Sequence, residues 1–121
     1  MLTRETFTGP WAGLPVSWTD RNELDLETYQ SDVVRCCQAE VPGIYTAGTT
    51  GEFYAMELDE FKQVTEATIQ TAADYPIPVM IGVTSTYTLG AERRAALAAE
   101  AGADAIQVAL PFWLPVDDDR L

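Results

Sequence analysis

The sequence contains no histidine and a single lysine, Lys62, and its seven basic residues stand against nineteen acidic ones. A formal net charge of −12 repels phosphate backbones, so nucleic acid is excluded as a partner. Cysteine is scarce as well: Cys36 and Cys37 are adjacent, point in different directions on a helix, and do not meet the geometry of an ordinary disulfide. Apolar runs of the roughly 18 residues needed for a spanning helix are missing, which excludes a membrane partner of that kind. Arg4 is followed at once by polar and turn residues rather than by the apolar stretch of a signal peptide, so the expected location is the cytoplasm. No metal is expected either. There is no His or Cys cluster, and the densest acidic group, Asp117 to Asp119, sits where a helix would start and where the helix dipole already accounts for it.

What the sequence does contain is an alternation of short apolar runs with longer amphipathic stretches, the signature of βαβ units around a parallel sheet. A first strand is expected within Trp11 to Trp18, interrupted by Pro15, followed by a helix from Leu26 to Ala39. Strand two is predicted at Gly43 to Ala47. Helix two spans Leu58 to Ala73, with Leu58, Phe61, Thr65, Ile69 and Ala72 on one face. The uniformly apolar run Val79 to Val83, broken only by Gly82, reads as a strand covered on both faces. Thr88 is the expected cap of helix three and Gly102 its end, with Ala91, Ala95, Ala98 and Ala101 as a small-residue stripe that lies close to a sheet. Strand four is predicted at Ala105 to Leu110, then a loop from Pro111 to Pro115, with Asp117 capping a fourth helix that the sequence stops short of completing at Leu121. Truncation is the expected explanation. The pattern alone fits either a small open α/β sheet or half of a closed barrel whose complete form needs roughly 250 residues.

In both architectures ligands bind at the carboxyl ends of parallel strands. After strand two comes Gly48-Thr49-Thr50-Gly51-Glu52-Phe53, in which glycines permit tight backbone geometry while two hydroxyls and several amides can converge on a small anion such as a carboxylate. After strand three come Thr84, Ser85, Thr86 and Tyr87. After strand four, Phe112 and Trp113 offer a pocket wall or plain packing. The competing reading of the hydroxyls is turn and cap chemistry. None of these loops holds a histidine, lysine or cysteine, so they offer no nucleophile or neutral-pH base. Lys62 lies within helix two between Asp59 and Glu66, a spacing that favours exposed ion pairs.

The Gly48-Thr49-Thr50-Gly51-Glu52 segment, preceded by Ile44-Tyr45-Thr46-Ala47, resembles the dihydrodipicolinate synthase and N-acetylneuraminate lyase family. Pro78-Val79-Met80-Ile81-Gly82-Val83 resembles that family's third strand, Ala101-Gly102-Ala103-Asp104-Ala105 its turn into strand four, and Pro111-Phe112-Trp113 the motif that follows. The resemblance covers essentially the whole chain. It implies a (β/α)8 TIM barrel, with residues 1–121 as the N-terminal half of one domain: four βα units, cut at the start of the fourth helix. It further implies a lyase or synthase, or a sugar-acid dehydratase, acting on a 2-oxo acid such as pyruvate, with an aldehyde as a second substrate of some members. No cofactor is implied, because the carbonyl is activated as a Schiff base by a lysine that would lie outside this chain.

By the same resemblance Thr49 matches the threonine of a hydroxyl relay and is the catalytic candidate, while Thr50, with Gly48 and Gly51, holds the substrate carboxylate. Trp113 stands where family members often carry a relay tyrosine, and an indole cannot relay a hydroxyl proton. That departure makes a sugar-acid aldolase or dehydratase at least as fitting as a synthase. The complete form is expected to be a homo-oligomer. The alternative is a non-catalytic half-barrel that associates with itself through its open strand edges.

Overall fold

The computed structural model describes residues 2–113 and 115; the Asp117 helix cap and the Asp117 to Asp119 cluster lie outside them. Four strands, β1 (Ala12–Gly13), β2 (Ile44–Thr46), β3 (Val79–Gly82) and β4 (Ala105–Gln107), alternate with three helices, α1 (Leu26–Gln38), α2 (Leu58–Ala72) and α3 (Thr88–Ala101). Every strand pair is parallel, and the sheet order is β1-β2-β3-β4. A doubly wound sheet would have placed β1 between two later strands. Consecutive order in one direction is what a barrel requires. No helix among the described residues is long and apolar enough to cross a membrane.

The strands are shorter than the apolar runs that mark them, for identifiable reasons. In β1 the ladder runs from the Ala12 amide on Gly43 O to the Leu14 amide on Tyr45 O; the next donor would be Val16, but its acceptor, Ala47 O, is turned over Gly82. In β4 the ladder ends at Gln107, and the chain beyond is held instead by the Ala109 amide donating to the Thr84 hydroxyl at 2.9 Å. The predicted extension of strand four to Leu110 is therefore corrected to an extended segment pinned by a side chain.

Asp25 caps α1, accepting from the Thr28 amide at 3.0 Å and the Thr28 hydroxyl at 2.7 Å, and these bonds hold its carboxyl below the usual aspartate value. In α2 the Glu60 carboxylate reaches back to the Glu57 amide at 2.8 Å. Two predictions for the helices need correction. Thr88 does not cap α3: the capping position is Tyr87, still extended (φ −149°), and no side-chain cap bond forms, so Thr88 is already the first helical residue. Leu58 does not join the buried face of α2. It sits in the first turn, 36% exposed, while Phe61, Val64, Thr65, Thr68 and Ala72 carry the packing; side chains tilt toward a helix N-terminus, which carries Leu58 past the edge of the layer. Gly102 ends α3 as predicted, in the left-handed region at φ 96°.

The core lies between the sheet and the helices. Ile44, Ile81, Val33, Val64 and Phe61 are essentially sealed from solvent, each such side chain contributing roughly 1.5–3 kcal/mol relative to exposure. A buried polar relay crosses this layer: the Tyr29 hydroxyl lies 2.7 Å from both Thr46 Oγ1 of β2 and Thr68 Oγ1 of α2. Thr68 in turn donates to Val64 O. Three elements are thus tied at one point, directly beneath the segment that follows β2.

Candidate functional site

Side chains alternate along a strand, so Ile44 and Thr46, packed toward the helices, leave Tyr45 on the opposite face. The pairings Gly13 with Tyr45, Tyr45 with Met80, Met80 with Ala105, and Gly82 with Gln107 place these residues on that same inner face. This face is glycine-rich where the chain after β2 turns over it. Ala47 adopts φ 53°, and its carbonyl lies where a Gly82 side chain would be: a Cβ at Gly82 would come within 2.2 Å of Ala47 O. A Cβ at Gly51 would meet Ala47 N at 2.8 Å and Leu14 O at 3.1 Å. The glycines at 51 and 82 are thus required by close backbone approach. Ala47 and Glu52 take the same left-handed conformation without being glycine, a local cost that the surrounding packing sustains.

The loop so formed closes on itself through the Glu52 amide to Thr49 O at 3.2 Å and the Phe53 amide to Gly48 O at 3.3 Å. Glu52 is anchored by the Trp18 indole, whose Nε1 donates to Oε2 at 3.0 Å. Gly48 and Gly51 are buried, whereas Thr49 and Thr50 are exposed at the carboxyl end of β2. Among the described residues, the amides of Thr49, Thr50 and Gly51 donate to no backbone acceptor. Successive amides without a backbone acceptor, flanked by hydroxyls, are the kind of donor set that binds small anions. Thr50 leans toward β1: its Oγ1 would be 3.8 Å from a Cβ on Gly13.

The aromatic candidates are placed apart from this loop's threonines. Phe112 packs edge-on against Phe53, centroids 5.6 Å apart, and both line a cavity of about 230 Å³ with Thr84, Thr86 and Arg94. Neither Thr49 nor Thr50 borders that cavity. Trp113 is 61% exposed and donates from Nε1 to Thr86 O at 3.3 Å. A larger cavity, about 580 Å³, opens at the opposite ends of the strands between Pro42, Pro78 and Asp104, away from all of the hydroxyl-bearing loops. Its wall mixes apolar side chains such as Ile69, Ile77 and Val79 with Thr6 and Tyr75.

Sequence reasoning passed over Tyr45 and Gln107. The Tyr45 hydroxyl donates to Gln107 Oε1 at 2.8 Å, across 62 positions of sequence, and the same phenol lies against Gly48, where an added Cβ would come within 2.4 Å of it. The signal available was the odd parity of Tyr45 in an apolar strand. It pointed to the inner face but named no partner.

The family model described as the dihydrodipicolinate synthetase family matches residues 6–121. The chain belongs to that family. Among curated relatives, the 4-hydroxy-tetrahydrodipicolinate synthase of Natronomonas pharaonis is 33% identical over 112 residues, which cover 93% of this chain and 37% of that protein. A Streptomyces avermitilis protein described as "Probable 5-dehydro-4-deoxyglucarate dehydratase 2" is 34% identical over 81% of this chain and 29% of its own length. Among solved structures, YagE from E. coli K12, a dihydrodipicolinic acid synthase family protein in complex with pyruvate, superposes with a TM-score of 0.80 at 28% identity, covering 88% of this chain and 36% of that one. The N-acetylneuraminate lyase of Mycoplasma synoviae superposes with a TM-score of 0.88 over 97% of this chain and 40% of its own, at 22% identity, a likeness of fold. This member of the dihydrodipicolinate synthetase family therefore has the four-stranded half of a TIM-barrel architecture, and it spans between 29% and 40% of the length of these relatives.

Proposed function

We propose that the chain forms the carboxylate-binding part of a Schiff-base lyase or synthase acting on a 2-oxo acid such as pyruvate. The observation that carries this reading is the turn at Thr49, Thr50 and Gly51, whose amides are uncommitted and whose two threonines are exposed where β2 ends. Thr50, with Gly48 and Gly51, holds the substrate carboxylate; Thr49 passes protons. An amine nucleophile must come from a lysine beyond residue 121, because Lys62 is on the outer helix layer, paired with Glu66 at 3.8 Å. Trp113, with an indole bonded to Thr86 O, supplies no hydroxyl to a relay. This makes cleavage, aldol addition or dehydration of a sugar-type acid at least as fitting as the synthase reaction, with an aldehyde as partner where the reaction needs one.

The test is borohydride reduction of a complete barrel carrying this chain in the presence of pyruvate, followed by peptide mass spectrometry. A reduced adduct on one lysine outside residues 1–121 is the expected result. Absence of any adduct under conditions where the barrel is folded overturns the reading.

A further inference from the structure

The turn after β2 is held in an unfavourable conformation. Ala47 and Glu52, at its two ends, are left-handed at φ 53° and 51° without being glycine. The bonds that close it, from the Glu52 amide to Thr49 O at 3.2 Å and from the Phe53 amide to Gly48 O at 3.3 Å, lie at the long end of the usual range. The amides of Thr49, Thr50 and Gly51 do not help to close it, because they donate to no backbone acceptor. A turn of this kind keeps its shape only if something outside it supplies an anchor. Among the described residues, one side-chain hydrogen bond ties residues 48–53 to the rest of the chain: Trp18 Nε1 donates to Glu52 Oε2 at 3.0 Å, across 34 positions of sequence.

Trp18 is suited to anchoring because its own backbone is fixed. It pairs with Leu24 in an antiparallel bridge, within a hairpin closed by the Thr19 amide on Glu23 O at 2.8 Å and the Asp25 amide on Ser17 O at 2.9 Å. Asp25 is also the cap of α1, so the hairpin is joined to the start of that helix. The half-buried indole packs against the core. Its N–H therefore reaches Glu52, the residue that follows Gly51, from a rigid neighbour on the β1 side of the turn.

We propose that Trp18, which lies outside the carboxylate cradle, is a positioning residue for it: acting through Glu52, it keeps the amides of Thr49, Thr50 and Gly51 aligned on the substrate carboxylate. The proposal rests on the cradle reading above and adds the residue that preorganises the cradle. Donors already ordered in the free protein bind more tightly, since their ordering does not have to accompany binding.

The experiment uses a complete barrel carrying this chain and reads the rate of borohydride-trapped adduct per unit concentration of probe, on the barrel lysine outside residues 1–121, with thermal unfolding followed in parallel. Two probes share one keto carbon: pyruvate, and its uncharged amide, pyruvamide. Trp18→Phe keeps the packed ring and removes the indole N–H. Its trapping of pyruvate is expected to fall about tenfold, the scale of one hydrogen bond to a charged acceptor, while trapping of pyruvamide stays near the parent rate. Glu52→Met removes the acceptor from the other side of the same bond and is expected to show the same selective loss. Glu52→Gln still offers a carbonyl oxygen to the indole and is expected to recover most of it. The double variant Trp18→Phe/Glu52→Met should lose no more than either single one, because both remove one interaction. Equal changes for the two probes, no change beyond a lower unfolding temperature, additive losses in the double variant, or a Glu52→Gln loss as large as that of Glu52→Met each overturn the role of Trp18 and leave the cradle reading standing. Failure of the parent barrel to trap pyruvate overturns both.

Discussion

At the scale of single residues, Thr49 and Thr50 show how adjacent and chemically identical side chains acquire different expected roles. Both are exposed in the same turn, but Thr50 leans toward Gly13 on β1, while Thr49 O is spent on the Glu52 amide that closes the loop. In a complete barrel, Thr50→Val preserves shape and removes a hydroxyl directed at a charged carboxylate, a contact worth roughly 1.5–3 kcal/mol. Affinity for the 2-oxo acid should fall about ten- to a hundredfold, chiefly through KM if the contact is the same in ground and transition states. Thr49→Val should instead lower kcat with a smaller effect on KM, because a relay hydroxyl matters while protons move. Steady-state kinetics separate the two. If both variants keep near-normal kcat and KM and lose only thermal stability, the hydroxyls serve the turn and the loop is not the site.

At the scale of elements, the strands and helices were legible in the sequence because the apolar runs are cleanly spaced and because Gly102 ends α3 where the backbone demands it, with the first strand, which contains Pro15, the least marked of them. What the pattern could not supply was anything requiring register between strands. That Ala47 O occupies the space above Gly82, or that Tyr45 reaches Gln107, depends on how β2, β3 and β4 align. A period of two gives the face and not the partner. The turn after β2 was legible as a candidate anion site from its composition, whereas the uncommitted amides that make it one emerge only from its conformation.

The Tyr29 relay is the element-level feature most open to measurement. Tyr29→Phe keeps the packing of α1 but leaves the buried Thr46 hydroxyl without the bond it makes to Tyr29, while Thr68 keeps its bond to Val64 O. A loss of about 1–3 kcal/mol is expected. The variant also carries a pH signature. Burial pushes the Tyr29 phenol above its ordinary value of 10.0, against the opposing pull of the Thr46 and Thr68 hydrogen bonds. A raised folded-state value means the neutral form favours folding, so this contribution is complete below pH 10.0. It is lost as pH climbs from there through the higher folded value, since only the unfolded chain has released its proton. Denaturant unfolding of parent and variant at intervals between pH 9 and 11 should show the parent losing its advantage above about pH 10. A constant difference between the two across that range would mean that Tyr29 ionises as freely in the fold as out of it.

At the scale of the whole molecule, the four strands form one continuous side of a TIM-barrel architecture, and the two faces of the sheet divide the labour. Helices and core occupy the outside. The inside carries Tyr45, Met80, Gln107 and the inward-turned loop, with nothing on that face able to form an imine. The chain's single amine side chain belongs to the other face: Lys62 is 54% exposed on α2, 3.8 Å from Glu66, on the far side of the sheet from Thr49 and Thr50. A carbonyl captured there would have no carboxylate cradle to hold it, and an imine formed in open water is hydrolysed rather than stored. The 121-residue chain by itself should therefore yield no stable pyruvyl adduct after borohydride reduction, and mass spectrometry of the intact chain should show only the unmodified mass. Lys62→Arg should behave identically to the parent chain. A specific, saturable adduct that maps to Lys62 and disappears in that variant would show that the outer helix layer holds a reactive amine, and the proposed division between a chemically silent outside and a binding inside would have to be abandoned.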